Sequence, residues 1–129
     1  LETRCKYYKD EAMFHGFIPH IMGTRFDILI IHSDFTLLNR IWAVIINEIE
    51  HLDKILNRLI RKVSKQTEQL EISNPIPIST ELEEILQLCQ YYYERTFHLF
   101  DITMKDFSLI KFGNRHIFLP VLGPTLDFG

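Results

Sequence analysis

Between Phe35 and Val63 the apolar residues Leu38, Ile41, Ile45, Ile49, Leu52, Leu56, Leu59 and Val63 recur at spacings of three and four. That rhythm lays one continuous apolar stripe along a single helix. No Gly or Pro interrupts it, and at 1.5 Å per residue the helix is roughly 40 Å long. Ser33 and Asp34 stand just ahead with side-chain oxygens suited to capping its first amides. Upstream, Ala12, Phe14, Phe17 and Ile18 lead into a turn at Met22-Gly23-Thr24. Arg25 to His32 follows as a stronger strand, rich in β-branched and aromatic residues.

From Ser64 to Ser79 the apolar content falls, and Pro75 and Pro77 favour extended backbone, so a loop ending in a short extended piece is expected. Thr80 and Glu83 form a capping box. Leu82, Ile85, Leu86, Cys89, Tyr92 and Tyr93 then continue at helical spacing to about Thr96. The tail reads as Phe100-Asp101-Ile102-Thr103, a polar or weakly helical stretch, an apolar strand from Ile117 to Leu122, and a last segment from Thr125. Its ending, Leu126-Asp127-Phe128-Gly129, is that of a fold not yet closed. The class implied is α/β (α+β), two long helices packed on a mostly antiparallel sheet, in one domain over residues 1–129.

Composition narrows the functional classes. A length of 129 residues with 47% hydrophobic content leaves room for one core. The net charge of -3 lacks the basic excess of a nucleic-acid binder. The longest apolar runs, Ile41 to Ile46 and Ile28 to Ile31, fall far short of the roughly 20 residues needed to cross a bilayer, so no transmembrane segment is expected. Cys5 and Cys89 form no Cys-x-x-Cys element. His15 and His20, five apart and without a carboxylate motif, do not make a zinc pair. Gly-x-Ser-x-Gly, P-loop and Gly-x-Gly-x-x-Gly signatures are missing from the sequence.

Two short constellations carry candidate chemistry. In Met22-Gly23-Thr24 the glycine permits a left-handed backbone or a close approach to a ligand, the threonine offers a hydroxyl, and the methionine a soft cover for a flat ring. The second runs from Glu94 to Thr103, where a helix end gives way to a loop with Asp101 and Thr103 one residue apart. Read alone, that pair is a capping or turn device.

In chain order, Met22-Gly23-Thr24, Leu56-Asn57-Arg58-Leu59, Ile78-Ser79, Thr96-Phe97-His98-Leu99-Phe100-Asp101-Ile102-Thr103 and Leu126-Asp127-Phe128-Gly129 resemble the motifs of the ApbE-type FAD:protein FMN transferases. The resemblance implies an incomplete, T-fold-like domain of which this chain is the amino-terminal half. It implies FAD as substrate, its diphosphate on a magnesium ion, and transfer of FMN to a threonine of a flavin-acceptor protein with release of AMP. Some relatives instead hydrolyse FAD to FMN and AMP. By position, Met22 would touch the flavin end of FAD, with Gly23 and Thr24 beside it among the cofactor-binding residues, Leu59 would form a wall, and Phe97, His98 and Leu99 would line the cofactor. Asp101 and Thr103 would shape the loop.

Departures accompany the match. Leu59 stands in place of an aromatic and His98 in place of glycine. The family's Gly-Gly-x-x-Lys-Gly segment would begin at Gly129, so its metal ligands and catalytic-type histidine fall outside this chain, which is left with no catalytic or metal-binding residue of its own. An exposed sheet edge then favours self-association or a complementary chain. A periplasmic or membrane-attached location follows from the resemblance. Cys5, preceded by polar residues, reads as an ordinary cysteine rather than a lipidated one. A second class stays open on the same residues: a non-catalytic module that binds a flavin nucleotide or a partner protein.

Overall fold

The computed structural model describes residues 1–68, 74–119 and 124–129. In chain order the elements are β1 (Arg4–Tyr8), β2 (Met13–Ile21), β3 (Thr24–Ile31), α1 (Phe35–Glu68), β4 (Ile76–Pro77), α2 (Thr80–Arg95), a single 3₁₀ turn (Phe107–Leu109), β5 (Lys111–Gly113) and β6 (His116–Phe118). The α/β class holds, with the antiparallel strands divided between two three-stranded sheets, β1-β2-β3 and β4-β6-β5. Two compact units result, Leu1–Lys54 with Gly129, and Ile55–Phe128.

The first unit follows from alternation along β2. Phe14, Gly16 and Ile18 are buried, while His15 and Phe17 point to the other face, as the period of two requires. Antiparallel pairing sets Phe14 against Tyr7 on one side and Ile30 on the other. The apolar stripe of α1 lies on the buried face, where Leu38, Trp42 and Ile49 join Phe14, Ile18 and Ile21 in one core. Trp42 packs edge-on to Phe14 with ring centroids 6.0 Å apart. Asp34 caps the helix, its Oδ1 accepting from the Leu37 N–H at 3.0 Å.

The opposite face of this sheet carries a charged cluster. Asp27 accepts from Arg25 through both oxygens, at 2.6 and 2.7 Å, and lies 2.7 Å from His15 Nε2. The Arg25 guanidinium lies over the Phe17 ring, 4.3 Å from its centroid. Hydrogen bonds from Arg25, and then from His15, hold the Asp27 carboxyl down to about 2.

In the second unit α2 begins one residue earlier than the capping box implies. Ser79 is the cap, its hydroxyl oxygen accepting from the Leu82 N–H at 3.1 Å, so Thr80 is the first helical residue. Helix α1 continues to Glu68, five residues past the end of its apolar stripe at Val63. Gln66 explains this in part, because it is buried on that stripe and its amide donates to the Asn74 carbonyl at 2.5 Å. The stretch expected to be polar or weakly helical instead holds the 3₁₀ turn and the β5–β6 hairpin. Asn114 and Arg115, both left-handed at φ +50° and +60°, form its two-residue loop. Of the strand expected from Ile117 to Leu122, β6 supplies its beginning, and positions 120–122 lie outside the described residues. Strand β1 is an addition with no counterpart in the sequence reading. Cys5 on β1 is exposed, whereas Cys89 on α2 is buried and its thiol is pushed up to about 11 by that burial.

Two outcomes are expected here. A Cβ added at Gly16 would stand 2.9 Å from the Trp42 ring and 3.0 Å from that of Phe14. Gly16→Ala should therefore lower the free energy of unfolding by about 1–3 kcal/mol in denaturant titration. Since the Asp27 carboxyl is held below its ordinary value, its contribution to stability is present above about pH 4 and is lost as pH falls toward 2. Unfolding midpoints at pH 6 and pH 2.5 should accordingly differ less in Asp27→Asn than in the wild type.

Candidate functional site

The turn between β2 and β3 is built from two left-handed residues, Met22 at φ +48° and Gly23 at φ +75°. Nothing lies within 4 Å of where a Cβ on Gly23 would stand, so glycine serves the backbone here and not the packing. Met22 is half-buried against the core of the first unit, and Thr24 is exposed at the start of β3. The backbone of Gly129 abuts this turn so closely that a Cβ there would overlap the Met22 carbonyl. Residues from the first and last motif elements are thereby brought side by side.

A second pair of elements meets in the other unit. Ile55, Arg58, Leu59 and Lys62 on α1 face Pro77, Ile78, Ser79 and Leu82 across a cavity of about 170 Å³. Leu59 is fully buried in its wall. Arg58 and Lys62, one helical turn apart, are exposed cations at its rim, and the first turn of α2 opens on the other side. No residue of the 97–103 loop is among those lining it.

That loop is tied by local hydrogen bonds and ring stacking. Thr96 ends α2, its hydroxyl donating to the Tyr92 carbonyl at 2.7 Å and accepting from the Phe100 N–H at 2.9 Å. Phe97 and His98 are both left-handed, at φ +54° and +68°. Glycine takes this conformation freely, whereas a side chain pays about 1 kcal/mol, and His98 stands where the resemblance expects glycine. Its ring is compensated by stacking on Tyr93, with centroids 4.1 Å apart and planes within 3°. Tyr93 stacks in turn on Phe107 at 5.3 Å and donates from its hydroxyl to Asp106 at 3.2 Å. Burial and the adjacent Asp106 carboxylate both raise the Tyr93 phenol above its ordinary value. Hydrogen bonding to Ser108 pulls Asp106 down.

Asp101 is the hub of the loop. Its Oδ1 accepts from the Thr103 N–H at 2.8 Å and from the Thr103 hydroxyl at 2.6 Å, and its Oδ2 from the Phe107 N–H at 3.1 Å. Thr103 is fully buried. The Ile102 carbonyl accepts from the Asp127 N–H at 2.7 Å, tying the loop to the last motif element. Phe97 and Leu99, by contrast, are 90% and 87% exposed. Among the described residues, no group of three or more His, Cys, Asp or Glu side chains is arranged to hold a metal ion.

The protein-family comparison decides what this arrangement belongs to. The model of the ApbE family matches residues 22–120. The chain belongs to the ApbE family. No curated protein and no solved structure matches it. Membership points to flavin-transferase-type chemistry, with FAD as substrate, a metal ion in general use, and a flavin-accepting protein as partner. The match starts at the Met22 turn and takes in Leu59 and the whole 97–103 loop, so all nine candidate residues of the ApbE-family chain lie within it.

Sequence reading named Tyr93 only as a helical position and Arg58 only within its motif, and passed over Asp106 and Lys62. For the two cations a signal existed, since a spacing of four on one helix puts both at one rim. Tyr93 and His98 lie on opposite sides of a helix end, and only the left-handed pair at 97–98 folds one ring onto the other. Asp101→Ala should remove three hydrogen bonds to a carboxylate, lower the thermal midpoint and reduce stability by about 2–3 kcal/mol. Limited proteolysis should then cut first between 96 and 106.

Proposed function

We propose that this ApbE-family chain serves the transfer of FMN from FAD to a threonine hydroxyl of an acceptor protein, with its own residues holding the flavin nucleotide. The family match over residues 22–120 carries this reading. In the reaction the acceptor oxygen bonds to the phosphorus of the FMN half, the diphosphate bridge breaks, and AMP leaves while the hydroxyl gives up its proton. The work of this chain is positioning. Arg58 and Lys62 would meet phosphate oxygens at the cavity rim, with Leu59 as an apolar wall beneath. At about 170 Å³ the cavity suits one portion of the dinucleotide, below the several hundred Å³ of a site for a whole ligand of that kind. In the first unit, taken by itself, Met22 and Gly23 present a soft side chain and an open backbone of the kind suited to a flat ring.

Magnesium supplies such chemistry with charge neutralisation on two bridged phosphates. The described residues do not fit it: no acidic cluster forms, and both oxygens of Asp101 are engaged within the loop. No step is therefore placed on a metal held by this chain. A non-catalytic flavin-binding module is the second reading, favoured by that same lack of fit.

Titration of the purified chain with FAD, with and without magnesium, separates the readings when flavin fluorescence and AMP are followed in the same samples. FAD should bind, and Arg58→Ala with Lys62→Ala should weaken binding at least about tenfold by removing two charge-assisted contacts. Binding without AMP release selects the non-catalytic module. Wild-type affinity in the double variant removes the cavity from the site, and no binding at all overturns both readings.

A further inference from the structure

A second cleft lies within the second unit, between α2 and the segment that follows the 97–103 loop. Gln87, Gln90 and Glu94 line it from α2, at the spacings of three and four that put side chains on one helix face, and Lys111 lines it from β5. Tyr93 and Phe112 add ring surface. The volume is about 390 Å³, within the range of small-molecule sites, whose walls combine apolar surface with a few convergent polar groups. No lining residue is shared with the cavity beside Leu59.

The polar groups of this cleft are uncommitted. Gln87, Gln90, Glu94 and Lys111 are exposed, and none of their side chains makes a hydrogen bond or ion pair with another described residue. One negative and one positive charge thus enter from different elements without closing on each other. Ring surface is available as well. Phe112 is only half-buried and, among the described residues, its single ring contact is edge-on to Phe107 at 6.3 Å.

We propose that this cleft binds an aromatic α-amino acid, with its ammonium group on Glu94, its carboxylate on Lys111 and its ring against Phe112. The charge balance selects a dipolar ligand. A nucleotide would bring a surplus of negative charge to a cleft whose lining cation, Lys111, is already balanced by Glu94. A plain amine or carboxylate would answer one of the two charges and leave the other without a partner. Gln87 and Gln90, each able to donate and to accept, serve either end of the amino acid. Charge-assisted hydrogen bonds hold both ends, and a flat apolar side chain covers the ring surface that the fold leaves half open.

Calorimetric titration of the full chain with L-tryptophan tests the proposal against three probes: tryptamine, which lacks the carboxylate, indolepropionate, which lacks the ammonium group, and L-alanine, which lacks the ring. L-Tryptophan should bind with a dissociation constant on the order of 0.1 mM. Each probe should bind at least about tenfold more weakly, a comparison that needs no variant. Glu94→Gln should weaken L-tryptophan binding about tenfold and leave indolepropionate unchanged, and Lys111→Gln should weaken it equally and leave tryptamine unchanged. Both substitutions fall at exposed positions, so the fold is kept. No saturable L-tryptophan binding up to roughly 5 mM overturns the proposal. So does equal affinity for L-tryptophan and any of the probes, or wild-type affinity in either variant.

Discussion

An indole ring lies against β2 at the one buried position where that strand has no side chain. Trp42 comes within about 3 Å of where a Cβ on Gly16 would be, and that approach lets α1 settle onto the sheet between Phe14 and Ile18. The consequences reach along the strand. With 14, 16 and 18 committed to the helix, His15 and Phe17 must face outward, and the charged cluster with Arg25 and Asp27 forms there. A slip of one residue would reverse both faces at once. Past Ile18 the register against β3 shifts by one residue before the turn at Met22 and Gly23.

Periodic elements were the legible ones. The stripe of α1 and the helical spacing of α2 announced themselves because apolar burial on a helix repeats every three to four residues. What stayed hidden was structure carried by polar groups. Gln66 occupies a core position through a hydrogen bond to Asn74, so the apolar pattern stops at Val63 while the helix does not. Strand β1 sits at a sheet edge with Arg4, Cys5 and Lys6 exposed, and offers too little alternation to be seen. The β5–β6 hairpin turns on Asn114-Arg115, a left-handed pair without the glycine that usually marks such a loop.

Legibility of the candidate site divides along similar lines. Gly23 signalled its turn, since a glycine between two strands asks for a conformation other residues avoid. The Asp101–Thr103 pair was readable as a loop device, and its three accepted hydrogen bonds account for the shape of that loop. The cavity beside Leu59 was not readable, because its two walls are contributed by Ile55–Lys62 and Pro77–Leu82 and only folding brings them face to face. His98 could be marked as a departure, but its partner Tyr93 could not be named from spacing alone.

The two thiols give the molecule a pair of natural reporters with very different clocks. Cys5 is exposed on β1, whereas Cys89 is buried on α2 with its thiol held up at about 11. Near neutral pH an alkylating reagent therefore meets one site at once and the other only when the second unit opens, because the reactive species is the solvent-exposed thiolate. The slow second modification counts openings of the region that carries the cavity and the 97–103 loop. A mass spectrum taken over time thus reads local unfolding there, in a chain to which no label has been added.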